Sequence, residues 1–198
     1  MRHTRTFLLS LIATAALWPW SSAMAQWELV NDRSSVNFIS IKNDFVAETH
    51  SFSSMVGFIG EDGNAQLVID LDSVETLIPI RNERMREMLF ETAKFPAAKI
   101  TTQVEPGLLD EIAGGGIITL DLPLTLELHG QSKTLTAPVA VVAEPGGNMH
   151  LYSTRPILVN AGDFGLEAGV IALRDIAGLK TISNAVPITI ELIFAPAA

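Results

Sequence analysis

The chain contains no cysteine. A disulfide framework, a thiolate nucleophile, a thiolate metal site and a lipidated cysteine anchor are therefore all excluded. Charge is also sparse: Asp, Glu, Lys and Arg make up 18% of the residues, against roughly 25% in an average soluble protein. The scarcer sign is positive, with 13 basic residues facing 22 acidic ones, which argues against nucleic acid and anionic membrane as bulk partners. No apolar run is long enough to cross a bilayer. Phe7 to Trp18 spans 12 residues, short of the roughly 20 required, and charges or turn-formers interrupt every later greasy segment. Stable membrane insertion is not expected.

What is present begins with that run. Arg2 and Arg5 precede it and the small-x-small triplet Ala23-Met24-Ala25 follows it. The arrangement reads as a secretory leader cut after Ala25, which predicts a periplasmic protein. Residues 26–198 then form one domain of 173 residues with 11 basic and 22 acidic side chains, a net charge of −11. A chain of that length buries about 70% of its unfolded surface in a single core. Hydrophobic residues make up 48% of the sequence. So greasy a small domain has either a large core or an apolar cavity.

The dominant pattern after Gln26 is alternation with period two. Ile118, Leu120, Leu122, Leu124, Leu126 and Leu128 point one way, while Thr119, Asp121, Thr125, Glu127 and His129 point the other. This is the signature of a strand with one dry face. Strands are predicted at 27–31, 34–42, 45–59 (divisible near Ser53), 64–72, 98–104, 117–129, 133–143, 149–159 and 185–194. Gly- and Pro-rich turns separate them, including Glu105-Pro106-Gly107 and Gly114-Gly115-Gly116, read here as hairpin turns. Eight or nine strands in succession mean an all-β sandwich or barrel. The length of 117–129 and 149–159 favours an antiparallel barrel of tilted strands. One amphipathic helix is predicted over residues 80–91, where Met85, Met88 and Leu89 share a face, and a turn of helix around Ile171 to Ile176.

Catalytic constellations are hard to find. Asp163-Phe164-Gly165 copies the kinase magnesium tripeptide without the glycine loop or catalytic loop that give it meaning, and a turn plugged by Phe164 is the better reading. His50, His129 and His150 lie on different predicted strands without ligand spacing, so rim or surface histidines outweigh a metal site. No GxSxG elbow occurs, and no nucleophile with its base is visible near these histidines. Asp70 and Asp72 share a strand face that alternation assigns to water. Neither a catalytic residue, a metal nor a cofactor is expected. Arg81, Arg84, Arg86, Lys94 and Lys99 place five of the 11 basic residues of the domain within 19 positions. They form either a solvated face paired with Glu83, Glu87 and Glu91 or a basic collar beside an opening.

Several stretches together resemble the YceI-like family. They are Trp27-Glu28-Leu29 with Ser34-Ser35-Val36-Asn37-Phe38, Phe52 with Val56-Gly57-Phe58-Ile59-Gly60, Leu67-Val68-Ile69-Asp70 with Ser73-Val74-Glu75-Thr76, and Met88-Leu89-Phe90 to Phe95-Pro96. In the second half, His129-Gly130-Gln131-Ser132-Lys133 looks like the family's His-Gly-x-x-Lys hairpin and Gly162-Asp163-Phe164-Gly165 like its Asp-Phe-Gly turn. The order is preserved along nearly the whole domain. Two departures stand out: Arg33 replaces a histidine usual before the serine, and Leu166 to Ser183 is more apolar than the family pattern.

The resemblance implies an eight-stranded, lipocalin-like antiparallel barrel with a helical insertion, and a binding protein, not an enzyme, that holds an isoprenoid, quinone-like or fatty chain inside. On that reading the chain packs against Phe38, Phe58, Leu67, Ile69, Leu71, Met85, Met88, Leu89, Leu120, Leu122, Leu124 and Leu126, with Arg81 and Arg84 at the rim beside the head group. The alternative is an accessory that delivers a quinone to, or stabilises, a membrane redox partner; a homodimer is compatible with either. An enzyme acting on a lipid head group through His129 or His150 ranks below both.

Overall fold

The structure is a computed structural model that describes residues 25–113 and 115–197. The predicted leader therefore lies outside the described residues, except for Ala25. In chain order the strands are β1 (Ala25–Leu29), β2 (Ser35–Lys42), β3 (Val46–Phe52), β4 (Met55–Gly60), β5 (Asn64–Asp70), β6 (Val74–Glu75), β7 (Ala97–Gln103), β8 (Ile117–Leu128), β9 (Gln131–Ala143), β10 (Met149–Ser153), β11 (Ile157–Asn160) and β12 (Ala185–Pro196). The α-helices are α1 (Pro79–Arg84), α2 (Pro106–Ala113) and α3 (Glu167–Ile176).

All pairings are antiparallel. The order β1-β4-β5-β7-β8-β9-β10-β12 closes when β12 pairs with β1 through Trp27 opposite Pro196 and Leu29 opposite Phe194. The result is the expected eight-stranded antiparallel barrel, which leaves no open edge on the ring. Three of its staves are bent pairs. β1 continues as β2 after a 3-10 turn at Asn31–Arg33, β3 continues as β4 beyond Ser53-Ser54, and β10 continues as β11 beyond Thr154 to Pro156. The break near Ser53 was expected. The break in 149–159, read as one strand, was not, and Pro156 explains it because its ring nitrogen has no hydrogen for a sheet ladder.

The meander gives the barrel two different ends. At one, Trp27 donates its indole N–H to the Gly147 carbonyl at 3.2 Å, and α2 buries Leu109 and Ile112 into the core. At the other lie α1, α3 and the tip of the β2–β3 hairpin. This helical end is built around Pro79 to Phe90. Pro79 occupies the first helical turn of α1, where its missing N–H costs nothing. Asn82 is buried beneath it, accepting the backbone N–H of Thr76 at 2.9 Å and donating to Glu75 at 3.1 Å. From Met85 to Phe90 the helix widens into a π turn, which ends at Glu91 in the left-handed region. The widening lets both Leu89 and Phe90 face the interior.

Two helical segments differ from expectation. α2 replaces a region read as turns, so the glycines near 115 join a helix to β8 and do not close a hairpin. α3 starts at Glu167, earlier than the predicted Ile171. It also docks closely: a Cβ added at Gly169 would lie 2.6 Å from the Met88 carbonyl oxygen, so only glycine permits that approach.

Candidate ligand cavity

The strands turn their apolar faces inward and leave a cavity of about 250 Å³ along the bore. Ligand pockets commonly run from roughly 300 to 1,000 Å³, so the bore suits a slender occupant. Of the 33 described residues that line it, only Gln66 and Thr102 have polar side chains, and the Thr102 hydroxyl is already donated to the Pro123 carbonyl at 2.6 Å. Phe38 and Phe52, ring centroids 5.3 Å apart, stand at the helical end with Phe90, whose ring is 5.9 Å from that of Phe52. Val104 and Phe194 line the other end.

Eight of the twelve predicted lining residues stand in this wall: Phe38, Leu67, Ile69, Leu71, Leu89, Leu122, Leu124 and Leu126. Four do not. Phe58 alternates with the lining residue Ile59 and shares its register with exposed Glu28 on β1, so it belongs to the outer face. Met85 is buried in the core outside the lining. Met88 is half-buried, and its backbone lies beneath α3. Leu120 packs against the cluster of Ala137, Val139 and Ile157 and stands outside the lining.

The predicted rim residues have different surroundings. Arg81 is held by Glu48, with Nη1 2.7 Å from the carboxylate, and donates Nη2 to the Thr76 carbonyl at 2.6 Å. Lys42 contacts the same Glu48 oxygen at 2.8 Å. These cations, Lys42 above all, hold the Glu48 carboxyl below its ordinary range. Arg84 is half-buried and forms no ion pair among the described residues.

The histidines do not converge. No group of three or more metal-ligating side chains occurs among the described residues. His129 stacks on Phe95 at 4.4 Å and lies 3.0 Å from Glu91, which pins the β8–β9 hairpin to the end of the π turn. His150 sits in an outer groove, 3.1 Å from Glu191. His50 corrects the expectation of a surface or rim histidine: it is 4% exposed. Its Nε2 is 2.8 Å from the Ser40 hydroxyl and its ring is 5.1 Å from Phe38. Burial, reinforced by the charge of Arg81, pushes its pKa down, which keeps the imidazole neutral near pH 7. His50 was discoverable, since it stands two residues before inward-facing Phe52 on a predicted strand.

A closed antiparallel barrel with a helical cover and an apolar bore defines the class of cavity-bearing antiparallel β-barrels. The YceI-like domain model matches residues 27–194, and the chain belongs to that family. A polyisoprenoid binding domain from Saccharophagus degradans, implicated in plant cell wall breakdown, is 37% identical and superposes with a TM-score of 0.85 over 88% of this chain and 100% of that one. Burkholderia cenocepacia BcnA shares the fold at 20% identity, with a TM-score of 0.64 over 83% of this chain and 98% of its own. No curated protein matches the chain. Among the described residues no helix is long and apolar enough to cross a membrane.

Proposed function

We propose that this protein is a periplasmic carrier that holds a long-chain isoprenoid, quinone-like or fatty lipid in the barrel interior. The observation that carries the reading is the bore itself, a cavity of about 250 Å³ walled almost wholly by hydrocarbon. The 37% identical polyisoprenoid binding domain supports an isoprenoid as the occupant. Each methylene moved from water into such a wall contributes about 0.8 kcal/mol, so ten carbons approach roughly 8 kcal/mol before ordering costs. That is enough for retention without a covalent bond. The described residues that line the cavity carry no carboxylate, imidazole, amine or thiol, and the reading includes no bond chemistry.

Export through a leader cut after Ala25 belongs to the proposal, and so does delivery of the cargo to a membrane redox partner. Purification from the periplasm followed by solvent extraction and mass spectrometry is the test. The expected result is a protein beginning at Gln26 that carries a stoichiometric lipid. Repeated recovery of empty protein that also takes up no isoprenoid probe would refute the carrier. Capture of the loaded protein by isolated membranes, but not of the extracted protein, is the outcome expected of delivery.

A further inference from the structure

The inner face of the β2–β3 hairpin changes character along its length. Cross-strand pairs are Val36 with Phe52, Phe38 with His50, and Ser40 with Glu48. Such directly opposed residues share one face of a sheet. Val36, Phe38 and Phe52 line the cavity, so His50, Ser40 and Glu48 continue the same wall toward the helical end. Hydrocarbon gives way to polar groups within one rung, roughly 7 Å of strand. Arg81 of α1 reaches the last of these rungs through its contact with Glu48.

Two polar atoms in this cluster are sealed from solvent and have no hydrogen-bond partner: His50 Nδ1 and Arg81 Nε. Buried polar atoms are nearly always paired, so two orphans in one cluster beside an apolar bore call for a missing partner. Their chemistry defines it. Arg81 Nε is a donor only. When the Ser40 hydroxyl donates to His50 Nε2, the imidazole proton sits on Nδ1, which becomes a donor as well. Lys42 and Arg81 share the single carboxylate of Glu48, which leaves the cluster one positive charge, but a full anion sealed beside the bore would lose its hydration at a cost that can exceed that attraction. The site therefore asks for an acceptor oxygen that brings little charge of its own.

We propose that His50 Nδ1 and Arg81 Nε form a head-group subsite for the hydroxyl or carbonyl oxygen of an uncharged lipid, whose chain passes Phe38 and Phe52 into the bore. This rests on the carrier reading and adds a selective element to an otherwise featureless cavity. Ser40, as donor to Nε2, leaves the imidazole proton on Nδ1, and Glu48 holds the guanidinium in place.

Three probes of equal chain length test it by direct titration: geranylgeraniol, geranylgeranyl phosphate and the hydrocarbon that lacks the oxygen. The full protein is expected to bind the alcohol about tenfold more tightly than the hydrocarbon, the scale of one buried hydrogen bond, and the phosphate no more tightly than the alcohol. His50→Phe should remove that preference by weakening the alcohol alone. Arg81→Lys keeps the positive charge for Glu48 and deletes Nε, so it should narrow the preference in the same way, and it carries the test where His50→Phe does not fold. Alcohol and hydrocarbon binding equally well to the unaltered protein, or weakened equally by the substitutions, overturns the subsite and spares the carrier. Tighter binding of the phosphate overturns the assignment of an uncharged head group. Failure of all three probes overturns the carrier and the subsite together.

Discussion

At the residue scale, His50 couples stability to pH. Burial and the facing cations Arg81 and Lys42 depress its pKa from the ordinary 6.5, while Glu48 opposes them. The unfolded chain therefore binds a proton that the folded chain refuses. The stability this group supports is complete above about 6.5 and is lost as pH falls toward its lowered folded value, with a slope of up to about 1.4 kcal/mol per pH unit. Glu48, depressed from 4.5, adds its own loss only below that value, so the two windows separate. Urea unfolding at pH 7.5, 6.5, 5.5 and 5.0 should show a falling midpoint that His50→Phe flattens. An equal slope in the variant would assign the effect elsewhere. The position of His50 on an inward face was legible in the sequence, through its spacing from Phe52. Its environment was not, because Arg81 and Glu48 are 33 residues apart and meet only when the insertion folds back over the hairpin.

At the element scale, the cavity depends on how α3 seats on the π turn. Gly169 lies against Met88 and Leu89 so closely that an added Cβ would fall 2.8 Å from the Leu89 Cα. Gly169→Ala gains roughly 1 kcal/mol of helix propensity but must displace packed backbone, at a cost of about 1 to 3 kcal/mol or more. The expected net result is a lower urea midpoint together with weaker lipid uptake, since Leu89 lines the bore. A raised midpoint with unchanged uptake would show that the interface yields freely. The strands were legible because β8 repeats one alternation over 12 residues, which no helix could satisfy. α2 escaped notice for the opposite reason. Its Pro106 and Gly107 carry turn chemistry, and among its described side chains only Leu109 and Ile112 are buried, so its helical state is imposed by the barrel end it covers. The π turn was equally hidden, because residues 80–91 present the apolar spacing of an ordinary helix.

At the scale of the whole molecule, the hydrophobic excess resolves into a wall around a space. Phe58 and Leu122 separate the two possibilities that composition left open, because both are large apolar residues on strands of the same barrel while only Leu122 faces the bore. Leu122→Trp should obstruct the cavity and reduce probe uptake at least tenfold, whereas Phe58→Leu should leave uptake within about twofold. The same geometry predicts a link between cargo and stability. A ligand present at a hundredfold excess over its Kd stabilises the folded state by about 2.7 kcal/mol, and a domain of this size shifts by roughly 2–4 °C per kcal/mol. Extracted protein should therefore melt about 5–10 °C below the loaded protein, with the difference restored by added isoprenoid. Leu122→Trp should melt at one temperature whether or not lipid is supplied, since a filled bore no longer couples to the ligand. A variant that still gained several degrees on lipid addition would place the stabilising ligand outside the barrel.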